Sequence, residues 1–315
     1  LKNTLLIPAI LSLCCSHFCF AITPANQCNF ERESPGSWYG DINMLGPVNR
    51  EGFFKAPYSK WFLSGYRDYQ PAASVVDKIK MNWLSYLDEV EITVFMGTWC
   101  SDSKRQTPRL YKILDQIGFD ENRLSVHAVD IAPGKFRKTP GGIAEKGMNI
   151  YRVPTIIISR NNRELGRIVE LPVTTLELDI LNILKEEGIA LTQYPREGEV
   201  NNYLEKHGLE GFEKNIDALA LAFKDKGIKE GELDHYIAYN LVYSNRYHEA
   251  VLVTKMMLKI FPEAGHLHIA LARVYELLNN NDLALSSYRK AFLYLEEKGK
   301  MAIFRDAIDR SQTFE

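Results

Sequence analysis

Val94-Phe95-Met96-Gly97-Thr98-Trp99-Cys100-Ser101-Asp102-Ser103 is the stretch on which the fold turns. The β-branched, apolar run Glu91 to Met96 predicts a strand, and Ser103 to Gly118 predicts a helix ended by its glycine. Cys100 stands at the turn between them. A thiol at a helix N-terminus faces unpaired backbone N–H groups and the positive end of the helix dipole, which favour thiolate over thiol. Thiolate is the nucleophile of disulfide exchange, so the position has a chemical reason. Ser101, Asp102, Ser103 and Lys104 make the turn polar, which predicts exposure rather than an inert buried cysteine.

Outward from this turn the pattern stays α/β. Ala73 to Tyr86 reads as a helix, Leu124 to Val129 as a strand, and Thr155 to Ser159 as a strand directly after Pro154. Asn161-Asn162 predicts a hairpin turn into the strand Leu165 to Glu170, and Thr175 to Glu187 closes the region as a helix. Residues 72–190 therefore form a compact α/β layer domain. Residues 22–71 precede it as an extension with no sustained helical or strand period. Its aromatics, among them Trp38, Phe53, Trp61, Phe62 and Tyr66, argue for an extension that packs on its neighbour.

Beyond Gln193 the pattern is all helical. Residues 191–230 read as connecting helices, with Glu213 to Phe223 the clearest. Residues 231–315 carry a repeat: Ile237, Ala238, Leu241, Ala250 and Pro262 are matched, 34 positions on, by Leu271, Ala272, Tyr275, Ala284 and Glu296, with Ala291 a further small position. Small residues let paired helices approach, and large ones fill the groove between them. Met301 to Ile308 reads as a capping helix.

At the other end, one early cation (Lys2), the apolar run Leu5 to Phe20 and small-x-small at Cys19-Phe20-Ala21 predict a secretory signal peptide over residues 1–21. The run is shorter than the ~20 residues of a spanning helix, so membrane attachment is expected only if the segment is kept. Of five cysteines, Cys14, Cys15 and Cys19 fall inside it. Cleavage would leave Cys28 and Cys100 in an oxidising, exported setting, with one possible intramolecular pair. With 38 Lys+Arg against 40 Asp+Glu, the net charge of −2 gives no electrostatic reason to expect nucleic acid as a partner. A 46% hydrophobic content rules out wholesale disorder.

Residues Ala72 to Glu187 resemble a thioredoxin-fold domain. Val94 to Cys100 is similar to the strand and Trp-Cys entry of a thioredoxin active site. Pro108 falls where thioredoxins kink the first active-site helix, and Val153-Pro154-Thr155 followed by Ile156-Ile157-Ile158 resembles the cis-proline loop and its strand. The 34-residue period resembles tetratricopeptide repeats, although Asp234 and Thr254 stand where that family has aromatics. The first resemblance implies Cys100 as nucleophile, with Trp99, Val153 and Pro154 shaping a substrate groove. Two departures bear on function. The family's second cysteine is Ser103 here, which leaves a monothiol able to form a mixed disulfide but not to resolve it locally. The family's buried carboxylate is Val94 here, consistent with the loss of the thiol it would serve.

Ser103 can still hydrogen-bond the thiolate and cap the helix. Asp102 should oppose thiolate formation electrostatically, act as a modulator of the site, or simply favour the helix start. Cys28, a small-molecule thiol or a partner protein would act as resolving thiol. The longer connection Ile131 to Asn149, with Pro133-Gly134-Lys135-Phe136-Arg137-Lys138, reads more readily as a solvated basic loop than as a recognition element at the site's rim.

Two expectations follow. One is an exported thiol–disulfide exchange protein whose repeats dock a protein client. The other is a non-catalytic binding or assembly module built on the same two folds. No cofactor is implied. Gly142 and Gly147 have phosphate-loop spacing but lack the Lys and Ser/Thr that must follow. His266 and His268 lie two apart and diverge on a helix, and no cysteine cluster has zinc spacing. Met256-Met257 sits at core spacing.

Overall fold

Val90, Ile92, Val94 and Met96 point to one side of their strand and Phe95 to the other, the two-residue period of a pleated strand. The architecture of the N-terminal half follows from that split. In the computed structural model, residues 30–33, 42–87, 89–185, 189–296 and 299 are described. The strands are β1 (Phe30–Glu33), β2 (Ile42–Val48), β3 (Val90–Met96), β4 (Leu124–Ala128), β5 (Thr155–Arg160), β6 (Arg163–Val169) and β7 (Ile189–Leu191). They form one mixed sheet in the order β1-β2-β4-β3-β5-β6-β7. β3 and β4 run parallel across a helical crossover; β5 is antiparallel to β3, and β6 to β5. Asn161 and Asn162 make the β5–β6 turn with φ of 52° and 62°, the positive values a tight hairpin needs.

The helices α1 (Arg50–Phe53), α2 (Tyr58–Asp68), α3 (Ala73–Leu87), α4 (Ser101–Ile117) and α5 (Leu176–Lys185) cover the face of Ile92 and Val94. Ile156 and Ile158 of β5 join that core, while Ile157, between them, joins Phe95 on the other face. α2 crosses α4 closely enough that a Cβ on Gly65 would come within 2.7 Å of Pro108 Cγ. Pro108, which cannot donate to the helix ladder, is thus the knob that Gly65 receives.

The extension differs from its reading as a segment without regular structure. β2 is hydrogen-bonded antiparallel to β4, with Val48 opposite Val126, so it belongs to the sheet. Asn43, Met44, Leu45 and Gly46 are buried in succession, so the strand shows no alternation for a period to detect. Phe53 and Phe62 stack at 4.8 Å between centroids, and Arg50 grips Asp115 through two bonds of 2.6 and 2.8 Å.

The C-terminal half is helical: α6 (Pro195–Lys214), α7 (Ile216–Asp225), a π-helix (Tyr236–Val242), α8 (Tyr247–Ile260), α9 (Gly265–Leu277) and α10 (Asn281–Tyr294). Of the repeated positions, Ile237 and Leu271, Leu241 and Tyr275, and Ala250 and Ala284 are buried in both copies. Ala272 is buried but Ala238 is exposed, because the first copy is a π-helix. Its Tyr243 N–H reaches back five residues to the Ala238 carbonyl, and this wider turn carries Ala238 outward. Met256 and Met257 are fully buried in this core. Tyr151 and Val169 from the α/β half belong to the same core, so the two halves share packing. The expected signal segment 1–21, Cys28 and the capping helix Met301 to Ile308 lie outside the described residues. Among the described residues no helix is long and apolar enough to cross a membrane.

Candidate functional site

The turn after β3 is held from three sides. The Cys100 N–H bonds the Gly97 carbonyl at 2.9 Å, and the Lys104 N–H bonds the Cys100 carbonyl at 2.9 Å, which starts α4. Trp99 folds back over Gly97, where any Cβ would meet the indole at 2.5 Å, and donates Nε1–H to the Val129 carbonyl at 2.9 Å. Thr98 Oγ1 accepts from the Met44 N–H and donates to Asn43 Oδ1, each at 3.1 Å, so the extension's own strand fixes the residue beside Trp99. Sequence reasoning missed Asn43 and Thr98. Their only signal was a polar pair inside buried stretches.

Cys100 is half-buried and carries a free thiol. Its S–H donates to the Val153 carbonyl at 3.4 Å, and the Val153–Pro154 peptide bond is cis. Ser103 is fully buried, and its Oγ accepts from the Gly97 N–H at 3.1 Å. Burial pushes the Cys100 thiol up from its ordinary range. The N–H and hydroxyl of Ser103 and the N–H of Asp102 pull it down by hydrogen bonding, while the Asp102 charge adds to the rise. The net direction is up: burial of the sulfur outweighs the hydrogen bonds from Ser103 and Asp102.

Asp102 is itself raised, chiefly by burial, and its carboxylate is gripped by Arg105 at 2.6 Å. Val153 is 1% exposed and Pro154 is buried, so this loop offers Cys100 a backbone carbonyl rather than open apolar side chains. Its side walls are ionic. Arg152 makes two bonds to Glu197 of α6 at 2.8 and 2.7 Å and two to Glu170 at 2.9 Å, with its guanidinium 3.5 Å from the centre of the Tyr194 ring. Thr155 Oγ1 closes on the Arg152 carbonyl at 2.6 Å.

The long connection before the proline loop is not a solvated basic loop. It folds back on itself through Arg137 N–H to Asp130 O and Asp130 N–H to Lys138 O, both 2.9 Å, and buries Phe136 and Arg137. Phe136 packs at a tilt against Trp99 at 5.3 Å and meets Tyr243 edge-on at 5.4 Å. Gly134 N–H bonds the Tyr243 carbonyl at 2.9 Å. The hydrophobic Phe136 in a basic run is the signal in the sequence that this loop packs. Cys100, Ser103, Trp99, Val153, Pro154 and Asp102 are thus brought together at one end of the sheet, joined by Phe136, Arg137 and Asn240. Cys28 lies outside the described residues.

Among the described residues no group of three His, Cys, Asp or Glu side chains is placed to hold a metal ion. His268 Nε2 lies 2.9 Å from the Pro262 carbonyl, whereas His266 faces Glu230 and Asp234, so the two rings serve different neighbours. Comparisons with family models, with curated proteins and with solved structures find no match for this chain.

Proposed function

We propose that this is an exported thioredoxin-like protein, a monothiol Trp-Cys-x-x-Ser variant, that works in thiol–disulfide exchange through Cys100. The observation that carries the reading is the 3.4 Å contact from Cys100 Sγ to the Val153 carbonyl, immediately before the cis-proline. A nucleophile at a helix start and a backbone carbonyl on a facing loop are what a disulfide-bearing extended segment requires. The Cys100 thiolate attacks one sulfur of a client disulfide, forming a mixed disulfide and expelling the client's other sulfur as thiolate. A second thiol, from the client, a small molecule or Cys28, then attacks the mixed disulfide and returns Cys100 as thiolate. Ser103 steadies the thiolate by hydrogen bonding, and Trp99 closes the rim. The helical half, with tetratricopeptide-like pairs, docks the protein client. The reading needs no cofactor and no nucleic acid.

One observation favours a second reading, a non-catalytic protein-binding or assembly module: burial raises the Cys100 thiol and so lowers its thiolate fraction at neutral pH. Rapid thiol blocking in cells, followed by non-reducing gels and mass spectrometry, separates the two. Exchange predicts adducts on Cys100 that vanish in Cys100→Ser. A fully reduced, dispensable Cys100 overturns exchange and leaves the module.

A further inference from the structure

Arg137 is 7% exposed, and among the described residues no carboxylate lies within ion-pair distance of it. Arg152, its neighbour in charge, has both Glu170 and Glu197. The Arg137 Nη1 donates to the Tyr151 carbonyl and to Asn240 Oδ1 at 2.5 Å, the guanidinium lies 4.5 Å from the centre of the Phe136 ring, and Nε is buried with no partner. A buried cation with spare donor capacity and no anion is costly to keep, so its surroundings are where an anion is expected.

Two short chains of contacts lead from Arg137 to the same sulfur. Tyr151, whose carbonyl takes the guanidinium, is two residues from Val153, whose carbonyl takes the Cys100 S–H. Phe136, next to Arg137, packs at a tilt against Trp99, next to Cys100. The acidic groups around them are already engaged: Glu170 and Glu197 by Arg152, and Asp102 by Arg105. In the same loop buried Asp130 takes the Ala132 N–H and buried Glu145 takes the Thr139 N–H and hydroxyl, while His235 is held neutral down to about 4 by burial and by the Arg152 and Arg137 charges, so it supplies no counter-charge.

We propose that Arg137 is a positioning residue for Cys100: its guanidinium, held by Asn240 of the π-helix and by the Tyr151 carbonyl, is the charge that receives the thiolate when the thiol ionises. Asn240 also donates Nδ2–H to the Tyr151 carbonyl at 2.7 Å, so one side chain of the helical half fixes both the cation and the loop facing the sulfur. Burial and the Arg152 charge lower Arg137 to about 10, and Glu197, a thiolate at Cys100 and Glu170 each favour its charged form against them. The helical half then sets thiol reactivity besides presenting a docking surface. The inference rests on Cys100 being the reactive group but not on turnover, since ionisation is read by alkylation whether or not any disulfide is exchanged.

The test is the pH dependence of Cys100 alkylation by iodoacetamide, read by mass spectrometry on the full chain. Arg137→Gln should move the midpoint up by about one unit, an about tenfold slower reaction at pH 7. Arg137→Lys, which keeps the charge, should restore most of the rate, and Asn240→Ala should fall between. A folded Arg137→Gln variant with the wild-type midpoint overturns the proposal. Should Arg137→Gln not fold, the wild-type protein decides with two methanethiosulfonates, one carrying a sulfonate and one a trimethylammonium group. A buried counter-cation speeds the anionic reagent several-fold over the cationic one, relative to the unfolded chain, and an unchanged ratio overturns it. Absence of mixed disulfides in cells would sink exchange while leaving this titration intact, so the two failures are distinct.

Discussion

The two helix pairs that share the 34-residue period match in packing at Ile237 and Leu271, Leu241 and Tyr275, and Ala250 and Ala284, and diverge in chemistry at Asn240 and Val274. Val274 of the second pair is apolar and sits in the helical core; its counterpart in the first pair, Asn240, is as well buried but polar. The second pair is regular α-helix, while the first opens into a π-helix and spends its buried amide on the Tyr151 carbonyl and Arg137. π-helical turns cost regular hydrogen bonding and persist where a side chain must be re-aimed. The difference teaches that both copies build the helical core, while the first also turns one buried amide toward the Tyr151 carbonyl and Arg137.

Making the first pair like the second should produce the largest effect. Asn240→Val leaves the Tyr151 carbonyl with the Arg137 guanidinium alone and takes the Asn240 acceptor from buried Arg137, so a loss of about 2–4 kcal/mol is expected in urea unfolding. An unchanged midpoint would mean the amide is not needed there. A smaller contrast comes from the small-residue positions. Ala272→Leu overfills a fully buried site and should cost about 1–3 kcal/mol, whereas Ala238→Leu, on the outward side of the π-helix, should stay within about 0.5 kcal/mol. Equal costs, measured by thermal melts, would erase the distinction between the copies.

The smallest expected effect is on acid stability. His235 precedes the π-helix, packs at a tilt against Tyr239 at 4.8 Å, and has its pKa lowered from 6.5 to about 4, chiefly by burial. A lowered folded value means that protons favour the unfolded chain. The His235 contribution is therefore fully present above 6.5 and is lost as pH falls toward about 4. Its counterpart Ile269 cannot titrate. Stability measured across that window should fall, and His235→Gln should fall less; parallel curves for the two proteins would remove His235 from the account.

How far the sequence carried depended on the kind of signal. β3, α4, β5 and the β5–β6 hairpin were legible because alternation, a helix-ending glycine and paired asparagines act locally. β2 was not, since burial on both faces removes its period. Ser103 and Cys100 could be named from their spacing, but the balance of effects on the thiol could not. Burial of the sulfur depends on Trp99, Val153 and a loop of distant residues, and it opposed the local helix-start argument. The π-helix was also invisible, because Ala238 fits the repeat pattern although the backbone turns it away. Arg137 and Asn240 lie 103 positions apart and meet only in the folded chain.

The rims of the sheet have a consequence for how a client is met. On one side the four-residue β1 lies along β2, and on the other the three-residue β7 lies along β6. Both outermost strands are short, and Pro47 on β2 lacks an N–H to offer. Among the described residues an incoming extended chain therefore finds no long bare strand to lengthen the sheet. Strand addition along these described strands is a poor route to a second copy of this chain, and under the exchange proposal a client would have to be met by the loops around Val153 and the helices behind them.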